Sequence, residues 1–197
     1  LDESGKDTYQ DMDNSGTIDG SDRRVIGKAT PDFTVGWNNT LTYKNWDLNL
    51  FFNGAFGADR LNLARFTMAS MVGDSRFITL REAYTDNFDK VGQSAIYPGL
   101  KVAGNNYQAV STKWVEDASY VRLENISLSY NLSKKVTKFA DIRLTLSCQN
   151  LFTITGYKGM DPVGTTFSND NVDVDAGIDM GAYPTPRTFT FGVRMNF

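Results

Sequence analysis

Histidine is absent from the 197 residues. That removes the commonest general base and the commonest nitrogen ligand for a metal. Cysteine occurs once, as Cys148, so no internal disulfide can form. Its place inside an alternating segment suits a packed or lipid-facing thiol rather than a nucleophile. No run of about 18 apolar residues exists, which excludes a transmembrane helix. Neither sign of charge dominates: 20 Lys and Arg stand against 23 Asp and Glu, for a net charge of −3. The cations are scattered, so nothing points to a nucleic-acid partner. No apolar leader precedes the polar opening LDESGKDTYQD, and the expectation is a piece of a longer protein. A membrane barrel survives these exclusions, because only every second residue of its strands must be apolar. An apolar content of 41% and a mean hydropathy of −0.35 are compatible with that.

Five segments alternate as strands do. In residues 33–43, Phe33, Val35, Trp37, Leu41 and Tyr43 share a face, with Asn39 the one polar intruder. Lys44-Asn45 makes a tight connection to residues 46–56, where Trp46, Leu48, Leu50, Phe52 and Phe56 face one way. Each strand is about eleven residues, enough to cross a bilayer at a tilt. Tyr43 and Trp46 flank the turn, where an interfacial aromatic girdle would sit. In residues 119–132 the apolar set is Ile126, Leu128, Tyr130 and Leu132, but Arg122 and Glu124 fall on the same parity. Either a bulge near Asn125 shifts the register or the strand projects beyond the hydrocarbon there. Residues 142–154 return, with Ile142, Leu144, Leu146, Cys148 and Phe152 outward and Arg143, Thr145, Ser147 and Gln149 inward. Residues 187–197 form the last strand, with Phe189, Phe191, Val193, Met195 and Phe197 opposite Thr188, Thr190, Gly192, Arg194 and Asn196.

The connections sort by length. Residues 1–32, 57–118 and 155–186 are long loops, whereas 44–45 and 133–141 are short. Antiparallel order puts the short turns at one end and the long loops at the other, as in outer-membrane barrels with short periplasmic turns. The fold class is therefore all-β: about five strands of a larger antiparallel transmembrane barrel with long extracellular loops. Within 57–118, residues 77–88 predict a short helix with Leu80, Ala83, Tyr84 and Phe88 on one side. The alternative architecture is a secreted or surface β-sandwich binding module with a calcium loop.

The strongest local chemistry is DMDNSGTIDGSD, residues 11–22. Set against an EF-hand-type loop, Asp11, Asp13, Ser15, Thr17 through its carbonyl, Asp19 and Asp22 take the ligand positions. Gly16 supplies the sharp turn and Ile18 the apolar anchor. Asp22 stands where a longer, bidentate Glu is usual, which predicts weak affinity for calcium. The competing reading is an Asp/Asn/Gly turn cluster held by its own side chains. The polar strand faces, with Asn38, Asp47, Asn49, Asn53, Arg143, Gln149 and Arg194, either line a substrate path, or hydrate the lumen or meet a plug. Tyr84, Tyr107, Trp114, Tyr157, Phe167 and Tyr183 either stack on sugar rings, or pack the loops themselves or meet a partner protein. Arg187 either pairs with a loop carboxylate such as Asp179 or simply opens the last strand. A glycosidase reading of the paired carboxylates is set aside, since the loops offer no apolar pocket to raise a pKa.

Residues 11–27, 31–57, 114–132, 148–162 and 177–197 together resemble the carboxy-terminal part of the SusC/RagA family, TonB-dependent transporters of the Bacteroidetes outer membrane. The resemblance covers roughly half the chain, in family order, and is sparse between Gly57 and Lys113. It implies a barrel of about twenty-two strands with an amino-terminal plug. It also implies a SusD-like surface lipoprotein as lid, with uptake of an oligosaccharide or peptide driven by TonB–ExbB–ExbD through a part not contained here. The expected location is the outer membrane, the expected role transport rather than catalysis. Phe197 would then sit at the periplasmic rim as an end-signal for barrel assembly.

Overall fold

The computed structural model describes residues 1–70, 79–99, 110–164 and 177–197. In chain order the strands and helices are β1 (Phe33–Tyr43), β2 (Trp46–Phe56), β3 (Asp59–Asn62), α1 (Leu63–Ser70), α2 (Arg81–Thr85) and α3 (Phe88–Val91). Then follow β4 (Val115–Asp117), β5 (Tyr120–Leu132), α4 (Lys134–Thr137), β6 (Asp141–Thr155), β7 (Ile178–Asp179) and β8 (Thr188–Asn196). The chain divides into two compact units, described separately below.

One unit comprises Lys28–Asp59, Asp117–Gly164 and Ala182–Phe197. It is an antiparallel meander in the order β1-β2-β5-β6-β8. Each strand pairs with the next in sequence among these five, so both short turns leave one end of the sheet and every long connection leaves the other. The β1–β2 register runs unbroken from Phe33↔Phe56 to Tyr43↔Trp46. Lys44 closes that hairpin in the left-handed region, at φ 52°. At the far end of the hairpin the chain turns at Gly57, φ +82°, where a Cβ would overlap the Asp32 carboxylate. Only glycine fits that corner.

Register makes the alternation of the sequence into two continuous faces. Across β2, β5, β6 and β8, Leu48, Leu128, Leu146 and Phe191 share one rung, and Leu50, Ile126, Cys148 and Phe189 the next. Aromatic rings pair across the strands on this face: Phe33 with Phe56 at 5.0 Å, Trp37 with Phe52 at 5.5 Å, and Trp46 with Tyr130 at 4.6 Å between centroids. Such pairs contribute beyond their buried area. The face is nonetheless open: Phe189 and Phe191 are each 68% exposed. A β-sandwich would cover this surface with a second sheet, so that alternative is corrected by the packing. A row of uncovered Phe, Leu and Val along a sheet is what lipid-facing strands present.

The conflict at Arg122 and Glu124 resolves as a bulge. Phe51 pairs with Asn125 and Phe52 with Leu123, so Glu124 is the extra residue of β5. On the other side Leu123 faces Phe152 and Asn125 faces Gln149, leaving Asn150 and Leu151 against Glu124. Asn150 takes the left-handed conformation, φ 53°. The step from one apolar rung to the next is thus Leu50 to Phe52 in β2, Ile126 to Leu123 in β5 and Cys148 to Phe152 in β6. Beyond the bulge Val121 and Leu123 rejoin the apolar face, and Arg122 moves to the polar one, opposite Asn53 and Thr153.

The other unit comprises Leu1–Gly27, Arg60–Glu116 and Thr165–Gly181. The expected irregular connection has a core of its own: Trp114, Tyr97, Ala83 and Ala69 are buried, with Leu61, Phe66 and Leu80 packed against them. A small sheet in the order β4-β3-β7 carries it. The single helix expected over 77–88 is two shorter ones, α2 and α3, broken at Asp86 and Asn87. Asn87 is buried and donates from Nδ2 to the carbonyls of Ala83 and Tyr84, ending α2. Ala83 faces the core as expected, whereas Tyr84 is exposed. Phe77 and Ile78 lie outside the described residues.

Adjacent residues on opposite faces test the assignment of the two surfaces. In the full-length protein, Ile126→Arg, on a rung nearer the middle of the sheet, is expected to cost about 2–4 kcal/mol and to deplete heat-modifiable folded barrel. Ser127→Arg, one residue away, should leave it near the wild-type amount. Equal losses from the two would remove the lipid-facing assignment.

Candidate luminal face and metal loop

The polar side of the sheet is a connected ladder. Asp47 accepts from the Thr42 hydroxyl at 3.1 Å and from Asn131 Nδ2 at 2.8 Å, and pairs with Arg143 at 3.2 Å. Asn49 donates to Asn38 at 3.2 Å and to Thr40 at 2.9 Å. The Ser129 and Thr145 hydroxyls lie 2.9 Å apart. Asn53 donates to the bulged Glu124 at 2.6 Å. Four of the seven expected residues, Asn38, Asp47, Asn49 and Asn53, thus join cross-strand hydrogen bonds, and Arg143 joins through its ion pair with Asp47. Gln149 and Arg194 stand on the same face, opposite Thr188 and Arg143.

A second cluster was not legible in the sequence. Arg122, 7% exposed, donates from Nη2 to Asp161 at 2.7 Å and from Nε to Thr153 at 2.9 Å. Asp161, 4% exposed, also accepts from the amides of Val163 at 2.9 Å and Thr185 at 3.0 Å, and from the Thr185 hydroxyl at 2.8 Å. Both charges are fully hydrogen-bonded, the condition under which a buried pair is tolerated. The cluster ties β5 and β6 to the segments leaving β6 and entering β8. The only sequence signal was Arg122 on the wrong parity. Its partner, 39 residues on, carries none.

The Asp-rich loop brings three of its four carboxylates together. Carboxylate oxygens of Asp11, Asp13 and Asp22 lie within 4.8 Å of one another. The turn uses left-handed residues at Asn14, φ 60°, and Gly16, φ 83°. Asp11 accepts from the amides of Gly16 at 2.7 Å and Ser15 at 3.2 Å. The Gly16 amide is the leading cause that holds the Asp11 carboxyl below the usual carboxylate range. Ser15 Oγ lies 3.0 Å from the carbonyl of Thr17. Asp19 stands outside the three-carboxylate group, its side chain capping the turn Gly20–Asp22 through the Ser21 amide at 2.7 Å. Three carboxylates so close repel one another unless a cation intervenes, and an all-oxygen set suits a hard one such as calcium.

The loop aromatics separate by burial. Trp114 is 1% exposed and packs on Phe66, with ring centroids 5.5 Å apart, and near Tyr97. It is core, not a sugar platform. Tyr157 is likewise buried, whereas Tyr84 and Tyr183 are exposed. Tyr107 and Phe167 lie outside the described residues. Tyr97 was missed: it anchors the same core and accepts from Arg65, which also pairs with Glu82 and Glu116. Asp179, a possible partner for Arg187, is buried and accepts from the Gly181 amide at 2.8 Å.

No family model matches the chain. Among curated proteins it is 37% identical over 200 residues to TonB-dependent receptor P3 of Formosa agariphila, across 98% of this chain and 19% of that protein. The chain is homologous to a stretch of TonB-dependent receptors. It is 28% identical to TonB-dependent receptor SusC of Bacteroides thetaiotaomicron, across 100% of this chain and 18% of that one. Among solved structures, the RagAB peptide importer in an open-open state has the same fold, with a TM-score of 0.71 at 22% identity over 88% of this chain and 18% of that chain. The chain thus spans about a fifth of the curated relatives it matches. Its sheet is an arc of an outer-membrane β-barrel, the open apolar face toward lipid and the hydrogen-bonded polar face toward the lumen.

The Arg122–Asp161 cluster sets a pH dependence. Burial would push the Asp161 carboxyl up, but the amides of Thr185 and Val163, the Thr185 hydroxyl and the Arg122 guanidinium outweigh it and hold the group at about 2. A depressed native pKa contributes stability above the unfolded value of 3.8, and that contribution fades as pH falls toward 2. It amounts to about 2 kcal/mol at neutral pH. Denaturant unfolding of the full-length receptor in detergent should therefore show Asp161→Asn less stable at pH 7, with the gap to wild type closing between pH 4 and 2. A gap unchanged across that window would contradict this assignment.

Proposed function

We propose that this wall belongs to the barrel subunit of a TonB-dependent importer for a nutrient too large for passive pores. The ligand class is an oligosaccharide or a peptide. The observation that carries the proposal is the two-faced sheet: uncovered apolar side chains on one side and a ladder of amides and hydroxyls on the other. Asn38, Thr40, Asn49, Ser129 and Thr145 offer neutral donors and acceptors, which suit hydroxyl- and amide-rich solutes. The likeness to SusC and to a peptide importer supports the same reading. In it, a SusD-like surface lipoprotein closes over the external end. TonB–ExbB–ExbD act through parts of the protein beyond this chain, and the role is transport, not catalysis. Uptake of fluorescent oligosaccharides and peptides by cells carrying the intact receptor should be saturable and lost when TonB is removed. Uptake that persists without TonB would make the barrel a passive pore instead.

Calcium is the cofactor we assign to the external loop. Asp11, Asp13, Ser15, the Thr17 carbonyl and Asp22 would hold it, with Asp19 contributing through water, as position nine of such loops often does. The ion would neutralise three close carboxylates and stiffen a loop that has little apolar core. With a short Asp at the last position, affinity should fall in the weaker part of the range, on the order of 10⁻⁵ to 10⁻³ M. Calcium titration of the full-length receptor by calorimetry, with terbium luminescence as a second probe, should show one site. Asp11→Ala or Asp22→Ala should weaken it at least about ten-fold. Titration identical in wild type and both variants would leave the loop as a self-capped turn.

A further inference from the structure

The short-turn end of the sheet carries a feature that transport does not use. The turns at residues 44–45 and 133–141 hold Lys44, Lys134, Lys135 and Lys138 against one carboxylate, Asp141, a net of +3 in a chain whose total is −3. The two turns are neighbours, joined by the Asn131 amide donating to the Asn45 carbonyl at 2.8 Å. Asp141 accepts from the backbone amide of Lys134. Among the described residues the ammonium groups of Lys134, Lys135 and Lys138 enter no ion pair, and the Lys44 ammonium lies 5.2 Å from the Tyr43 ring centre. The lysines of the longer turn are exposed.

Apolar side chains stand among these cations. Val136 is 67% exposed and Phe139 56%, on a turn where water alone would favour neither. They lie in the turn at the end of the sheet where Tyr43, Trp46 and Tyr130 lie and where Phe197 is 88% exposed. Lysine heads above exposed apolar and aromatic groups are the composition of a surface that sits in a headgroup layer. Short turns of such barrels face the periplasm, where the adjoining leaflet is phospholipid.

We propose that the turn Ser133–Asp141, with Lys44, is a docking surface for anionic phospholipid headgroups of the periplasmic leaflet. The phosphates accept from the lysines while Val136 and Phe139 enter the acyl boundary. The occupant is lipid rather than an acidic periplasmic protein because the surface adjoins the lipid-facing sheet and pairs cations with uncovered apolar groups. Each lysine near an anionic surface contributes about 1 kcal/mol, about five-fold in local binding. The proposal rests on the barrel and not on what the barrel imports.

The full-length receptor, reconstituted in phosphatidylcholine vesicles with and without phosphatidylglycerol, provides the test. Phospholipid retained after detergent exchange is quantified by mass spectrometry. Wild type should retain phosphatidylglycerol several-fold above its share of the vesicle, and the enrichment should collapse in 1 M salt, where surface attraction is screened. Replacing Lys134, Lys135 and Lys138 together by Gln should bring it down to about the vesicle share, while Lys28→Gln at the other end of the sheet leaves it unchanged. These surface positions do not bear on folding, and heat modifiability confirms equal amounts of barrel. Unchanged enrichment in the triple variant overturns the proposal. So does a variant that keeps its lipid but loses binding to peptidoglycan fragments or to an acidic periplasmic protein.

Discussion

Hydrocarbon offers no hydrogen bonds, and the rest of this structure depends on that. Every amide and carbonyl that crosses a bilayer must find its partner within the protein, at a cost of several kcal/mol for each one left unpaired. The antiparallel ladder from β1 to β8 satisfies the interior strands. β1 and β8 each present one unpaired backbone row along the sheet edge, which only neighbouring strands of a closed barrel can satisfy. Closure in turn fixes which way each side chain points. Once one face meets lipid, parity leaves the other for water, and the polar groups of five strands gather into one connected surface without any need for their positions to be close in sequence.

The parts governed by that constraint were the parts legible in the residues alone. Parity along FTVGWNNTLTY and RTFTFGVRMNF needs no tertiary knowledge, because a period of two is the same in every strand. Even the exception was informative: Arg122 and Glu124 broke the pattern, and a bulge was one of two ways to mend it. The Asp-rich loop was legible for a related reason, since its spacing is a local property of the chain. Where neither period nor spacing operates, reading failed. Trp114 and Tyr97 belong to a core assembled from segments that no rhythm connects, so Trp114 stayed open between sugar stacking and loop packing, and Tyr97 went unnamed. Asp161 in GMDP gave no hint that a buried guanidinium awaited it.

Charge is distributed by segment along this chain. Carboxylates crowd the long connections, and three of them converge within residues 11–22. Neutral amides and hydroxyls, with a few compensated ions, fill the luminal wall. Lysines outnumber carboxylates at the two short turns. A buried pair, Arg122 with Asp161, lies where β5 and β6 meet the connection between β6 and β8. Its role there is anchoring, since an acid held at about pKa 2 stays ionised throughout the physiological range.

The bulge has a geometric consequence for the barrel. In a closed sheet the stagger between strands, together with their number, sets both tilt and bore. Here each of two neighbouring strands inserts one residue more than the strand before it, at the same height. Stagger counted below that height therefore differs from stagger counted above it. The arc need not keep a single radius along its axis, so the bore at the external mouth is free to differ from the bore at the periplasmic rim. The chain achieves this with Glu124 and Asn150 alone, and without any change in the number of strands.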